Sequence, residues 1–435
     1  MAARGIGRSN WRRMALAAGV ALVALCHGMD AAQAQSLSDA LATAYQNNPQ
    51  LLGERAQLRA TDENVPQALS GWRPTVSLSG QGGIQHSETN SAISSGRNFD
   101  ANGNPITHSG TRDNTSSYGV TVTQNLFSGG QTTAQTAQAL NQVRAERANL
   151  QAIEQTVLVA AATDYVTVLE DQAALELNIN NEQVFRRELE YTRDRFEVGE
   201  VTRTDVAQAE ASLAQAIAAR QQAAAALQVA RATYQQDIGE VPGRLLPPRV
   251  VIALPTSQDE AVSMAMTGDP SVVSAQFTQA AAEDNIRVVR SQLLPHISLN
   301  ATAQRSNDSS FNGSETTSES VVAQMNVPLY EGGSVYSQSR QAQQTVTVDR
   351  NKLDQARRAA MQAAASAWEQ MREAQANITS FRTQIEANAI ALQGVQQEAA
   401  VGERTVLDIL NAEQTLFQSR VSLIQAQHDE LVAKF

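Results

Sequence analysis

Apolar and polar positions alternate along four stretches of the chain. Tyr118, Val120, Val122, Gln124 and Leu126 alternate with Gly119, Thr121, Thr123 and Asn125. Ile297, Leu299, Ala301 and Ala303 do so with Ser298, Asn300, Thr302 and Gln304, and Ala323, Met325, Val327 and Leu329 with Gln324 and Asn326. Residues two apart share one face of a strand, so each stretch predicts a strand with an apolar and a polar side. Val76, Leu78 and Ile84, interrupted by glycines, give a weaker fourth. The strands form two pairs, about 75–126 and about 296–329, each joined by a polar loop.

The rest reads as helix. Residues 131–197 and 334–400 contain no proline and no glycine other than Gly394. Each run would make a rod of about 100 Å at 1.5 Å rise per residue. Within 204–238, Leu213, Ile217, Arg220, Ala224, Leu227, Arg231, Tyr234 and Ile238 step by three and four, a coiled-coil seam with two arginines in phase. Abundant alanine lets such helices approach closely.

The same parts occur twice. At an offset of 221 residues Ala40 meets Ala261, Pro49 meets Pro270, Asn64 meets Asn285, Ser70 meets Ser291 and Pro74 meets Pro295. At an offset of 203, NLFSGG (Asn125 to Gly130) meets PLYEGG (Pro328 to Gly333), and VGEVTRTDVAQAE (Val198 to Glu210) meets VGERTVLDILNAE (Val401 to Glu413). The chain is thus read as two structural repeats, 35–238 and 258–435, joined by a Pro- and Gly-rich linker, 239–257. Each repeat runs helix, strand pair, long helix, polar turn (198–203 or 401–404) and a further helix. Helices 204–238 and 258–292 are each about half a rod long, so end to end they match one rod, with the linker near its middle. The strands then sit at one end and both polar turns at the other. By the offset Phe435 corresponds to Ala232, while the first repeat continues to Ile238, so the second is expected to lack its last turn or two.

Residues 1–34 carry four arginines, an apolar core (Met14 to Leu25) too short to span a bilayer, and Ala32-Gln33-Ala34, the pattern of a cleaved secretory signal. The single cysteine, Cys26, lies inside it, so the mature chain has neither disulfide nor thiolate chemistry. No later stretch is expected to be a transmembrane helix. Four of the 33 basic and one of the 44 acidic residues lie in the leader, leaving 29 against 43, a formal charge of −14 that disfavours nucleic acid. Four strands cannot close a barrel, and membrane barrels begin at about eight. An open edge in lipid leaves backbone groups unpaired, so more than one chain must contribute strands. A soluble β-sandwich with a coiled-coil stalk is the alternative, and it leaves the duplication unexplained.

The NP-containing first helix, the strand openings RPTVSL and LPHISL, the joints LFSGG and LYEGG, and the paired VGE turns resemble the TolC family of outer-membrane channels, over nearly all of the mature chain. The resemblance implies a mainly α fold with β: a long α-helical coiled-coil barrel in the periplasm, and four strands per chain entering a shared 12-stranded outer-membrane β-barrel of a homotrimer. It implies an exit duct for a tripartite efflux pump or type I protein secretion system. The partners would be a periplasmic adaptor (membrane fusion protein), an inner-membrane ABC or RND-type transporter, and outer-membrane lipid.

Each VGE turn has a local explanation: Gly199 or Gly402 supplies a positive φ that ends the helix, and Thr202-x-x-Asp205 or Thr405-x-x-Asp408 has capping-box spacing. The resemblance adds a gate. It implies that Arg404, which faces Val201 in the duplication, ties its turn to Thr204 and Asp205, and that Asp408 lines the entrance. A second acidic entrance position falls on Asn411, and a tip tyrosine on Ala399, giving a weaker acid ring and fewer latch bonds.

No catalytic, cofactor or metal constellation is expected. The histidines beyond the leader (His86, His108, His296 and His428) lack metal spacing, and GQGG (Gly80 to Gly83) lacks the third glycine of a dinucleotide loop and the lysine of a phosphate loop. A periplasmic adaptor would carry one hairpin between compact β domains, and a coiled-coil filament protein would lack the leader and strand pairs.

Overall fold

The structure is a computed structural model that describes residues 35–89, 109–248, 254–307 and 315–435. The leader, the apices of both strand loops and residues 249–253 lie outside that set. The described elements are α1 (Leu37–Asn47), α2 (Pro49–Asp62), α3 (Asn64–Leu69), β1 (Thr75–Thr89), β2 (Ser109–Ser128), α4 (Gln131–Glu197), α5 (Arg203–Ile238), α6 (Gln258–Gly268), α7 (Pro270–Ser291), β3 (His296–Asn307), β4 (Glu315–Asn326), α8 (Ser334–Ala400) and α9 (Val406–Ala433). They fall into two compact units to which α4 and α8 both contribute.

The unit of Glu54–Ala152 and Met264–Ala360 holds the sheet. Its strands form one antiparallel sheet in the order β1-β2-β3-β4. The sequence pattern anticipates the two hairpins; the pairing of β2 with β3, which joins the halves of the chain, has no local signal. Register puts Val76 opposite Val122, Leu78 opposite Val120, Val122 opposite Ala301 and Ala301 opposite Val321. One face therefore carries apolar side chains on all four strands, with Glu319 of β4 in the row of Leu78, Val120 and Ala303. On the other, Thr123 donates from its hydroxyl to the Asn300 side-chain oxygen at 2.9 Å.

Two details depart from the alternation. A bulge between Asn125 and Phe127 sets Phe127, not Leu126, opposite Ile297. β4 ends at Asn326, before Val327 and Leu329; Pro328 has no N–H to give a ladder.

The apolar face is bare. Leu78 is 79% exposed and Val321 72%. β1 and β4 are edge strands. Below the sheet, the helices of this unit are tied by polar bonds: Asn141 donates to Asp284 of α7 at 2.8 Å, and Asn149 to Glu54 of α2 at 2.5 Å. Val272, Leu353 and Ala360 form a small core where α7 packs on α8.

The breaks after α1 and α6 have one cause. Asn48 and Asp269 accept from backbone N–H groups two residues on, and Pro49 and Pro270 fill the first helical position, where a missing N–H costs nothing.

The second unit, Met1–Gly53, Ile153–Ser263 and Met361–Phe435, is mainly helical where described. Ala40, Ala161, Tyr165, Val168, Leu227, Tyr234, Ile238 and Leu245 build its main core, which includes the start of the linker. The Tyr165 hydroxyl lies 2.8 Å from the Gln35 carbonyl and accepts from the Leu246 N–H at 3.0 Å. Beside this core, burial and the neighbouring Asp237 carboxylate push the Asp164 carboxyl up to about 7.

Among the described residues, α4 is long and apolar enough to cross a membrane by composition, contrary to the expectation of no such segment. Its Ala161, Tyr165 and Val168 are fully buried in the helical core, the use a bundle makes of apolar positions. The two in-phase arginines of α5 are accommodated differently: Arg220 reaches the buried Glu182 of α4 at 2.9 Å, while the Arg231 Nε is buried without a hydrogen-bond partner.

Candidate functional site

The two VGE turns end α4 and α8 with the same backbone hydrogen bonds. Gly199 N–H donates to Phe196 O and Glu200 N–H to Arg195 O; Gly402 N–H donates to Ala399 O and Glu403 N–H to Glu398 O. This is the six-to-one and five-to-two pattern of a Schellman cap, and Gly199 (φ 81°) and Gly402 (φ 84°) hold the left-handed position that a side chain would strain.

The next helices start alike. The Asp205 carboxylate accepts from Thr202 N–H at 2.8 Å while the Thr202 hydroxyl oxygen accepts from Asp205 N–H; the Asp408 carboxylate accepts from Thr405 N–H at 2.9 Å, with the reciprocal bond. These bonds to Thr405, with a smaller contribution from the Arg404 charge, hold the Asp408 carboxyl below its usual range. Both aspartates are therefore capping residues in the single chain.

Ion pairs at the turns show a polarity reversal. In the first, Arg195 at the helix end reaches Glu200 in the turn at 3.0 Å. In the second, Arg404 in the turn reaches Glu398 at the helix end at 2.8 Å. Arg195 and Glu398 occupy equivalent positions at the 203-residue offset, so the helix-end charge is inverted between copies. The hydrogen bond and charge of Glu398 raise the Arg404 basicity further. Among the described residues no hydrogen bond or ion pair joins Arg404 to Thr204 or Asp205. Thr204 and Asn411 are exposed. The inversion is legible in the sequence, because the 203-residue offset sets Arg195 against Glu398.

Behind the turns, Phe185 and Leu189 of α4, Ala209 and Ala216 of α5, and Val406 and Leu410 of α9 share one core. The α4–α5 and α8–α9 hairpins thus pack together within the chain. No cluster of metal-ligating groups occurs among the described residues.

The sequence model described as "Outer membrane efflux protein" matches residues 40–240 and 261–434. The chain belongs to that family. It is 35% identical over 406 residues to the outer membrane efflux protein BepC of Brucella suis, covering 93% of this chain and 85% of that one. It is 25% identical over 420 residues to the outer membrane protein TolC of Escherichia coli, covering 92% and 80%. Among solved structures, the outer-membrane channel OprN superposes with a TM-score of 0.77 at 20% identity, covering 92% of this chain and 88% of that one. The last likeness establishes the fold, a mostly helical chain with four antiparallel strands, and the family is one of transport proteins.

Proposed function

We propose that this chain is the outer-membrane exit duct of a tripartite efflux pump or type I protein secretion system. Three copies would place twelve strands in one barrel, with the helices in the periplasm and the VGE turns at the entrance. The observation that carries this reading is the sheet itself: four strands with a bare apolar face and two edge strands. In lipid the apolar face loses contact with water and the edges must be paired by further strands. Family membership and the likeness to outer membrane efflux proteins support the same direction.

The proposed partners are a periplasmic adaptor and an inner-membrane ABC or RND-type transporter at the turns, and outer-membrane lipid at the strands. The gate reading also remains a proposal: in the trimer Arg404 exchanges Glu398 for Thr204 and Asp205, and Asp408, with the uncharged Asn411 one turn away, lines the axis.

Expression with the leader intact, followed by fractionation and N-terminal sequencing, tests the reading. The expected product starts near Gln35 and sediments with the outer membrane as a trimer. A soluble periplasmic monomer would refute it.

A further inference from the structure

The two hairpins obey one register. Under the offsets of 221 and 203 residues, Thr75 opposite Thr123 becomes His296 opposite Asn326, and Val76 opposite Val122 becomes Ile297 opposite Met325. Both pairs stand in the second hairpin. β3 is therefore the counterpart of β1, and β4 of β2. The β2–β3 ladder joins one repeat to the next, and the two edges of the sheet, β4 and β1, are the counterparts of its two strands. A ladder inside the chain thus serves as the template for a ladder between chains.

We propose that β4 pairs with β1 of a second copy in the register of β2 with β3, bringing Glu319 to His86 of the partner subunit and Met325 to Gly80 of the partner subunit. This rests on the reading of the chain as part of a shared barrel, and adds which residues meet. The template pairs are Ser116 opposite Asn307 and Val122 opposite Ala301. Asn307 donates from its side-chain amide to the Ser116 hydroxyl at 3.4 Å. Between copies a carboxylate and an imidazole take those two places, and an imidazole N–H donates to a carboxylate whether or not the ring is charged.

Three observations favour this register. Glu319 is exposed on the apolar face, and Arg305, diagonal to it in the ladder, is bonded to Glu315. A carboxylate entering lipid needs a donor, and His86 lies on the same face of β1. The apolar face of β1 also carries two glycines, Gly80 and Gly82, where an added Cβ would meet nothing within 4 Å. The template sets Met325 and Ala323 against them, so the long side chain faces the residue that leaves it room. Finally, Val321 falls opposite Ile84, which keeps the apolar row continuous. A slip of one residue would turn that row to the polar side of β1.

With Cys26 confined to the leader, paired cysteines can be placed in the full mature protein. Within one chain β1 and β4 are three strand spacings apart, about 14 Å, so a disulfide between them forms only between copies. Oxidised in outer-membrane fractions, Met325→Cys with Gly80→Cys, and Glu319→Cys with His86→Cys, should give covalent trimers that survive boiling. The slipped pairs, Met325→Cys with Leu78→Cys and Glu319→Cys with Ile84→Cys, should run as monomers on the same gel. The contact is also read without cysteines: Glu319→Arg should lower the yield of trimer severalfold, and adding His86→Glu should restore it. Slipped pairs that crosslink in place of the others, or in-register pairs that stay unlinked in a protein migrating as a trimer, overturn the register and leave the shared barrel standing. A Glu319→Arg variant that assembles fully, or is not restored by His86→Glu, overturns the contact. An unaltered protein that migrates as a monomer before boiling overturns both the register and the barrel.

Discussion

At the scale of the residue, the turns show how one side chain can satisfy a local demand and still be available to an assembly. Asp408 caps α9 and is kept ionised by the bonds that make it a cap. Three such carboxylates around one axis would attract cations, so Asp408→Ala is expected to reduce cation preference and block by multivalent cations. Arg404 is bonded to Glu398 within its own turn. An exposed ion pair of this kind contributes little to stability alone, so Arg404→Ala should leave folding and assembly intact while raising resting conductance. Single-channel recording on reconstituted protein separates the two roles. Unchanged conductance together with a lower melting temperature would reduce Arg404 to a turn-stabilising residue.

The capping bonds were legible because their spacing, Thr-x-x-Asp after a glycine, is itself the mechanism. The partner of Arg404 was not, because Glu398 lies before the turn, outside the capping pattern, and only the closed turn brings the two together. Asp164 with Asp237 was equally hidden: the pair joins carboxyls far apart in sequence, and only packing brings them within reach of one another.

At the scale of the element, period-two alternation located the strands but not their limits or neighbours. The bulge at Asn125 and the early end of β4 depend on ladder geometry, and β2–β3 pairing depends on tertiary contact. The faces follow from register. Val122 lies on the apolar side with Val76 and Ala301, and Thr123 on the polar side with Asn300. An arginine on the lipid face near the bilayer midplane costs about 2–4 kcal/mol. Val122→Arg should therefore lower the yield of assembled protein in the outer membrane well below that of Thr123→Arg, as read by heat-modifiable migration on gels. Equal yields would contradict the assigned faces.

At the scale of the whole molecule, the single chain is incomplete in one particular way: its sheet has a bare apolar face and two edge strands. Lipid can cover the face, but only further strands can satisfy the edges. The most direct test is electron cryomicroscopy of the purified, detergent-solubilised protein. The account predicts three copies about one axis, with β4 of each protomer hydrogen-bonded to β1 of the next and twelve strands closing the barrel. A sheet left open at β1 and β4, or a barrel closed by a partner of different sequence, would contradict it.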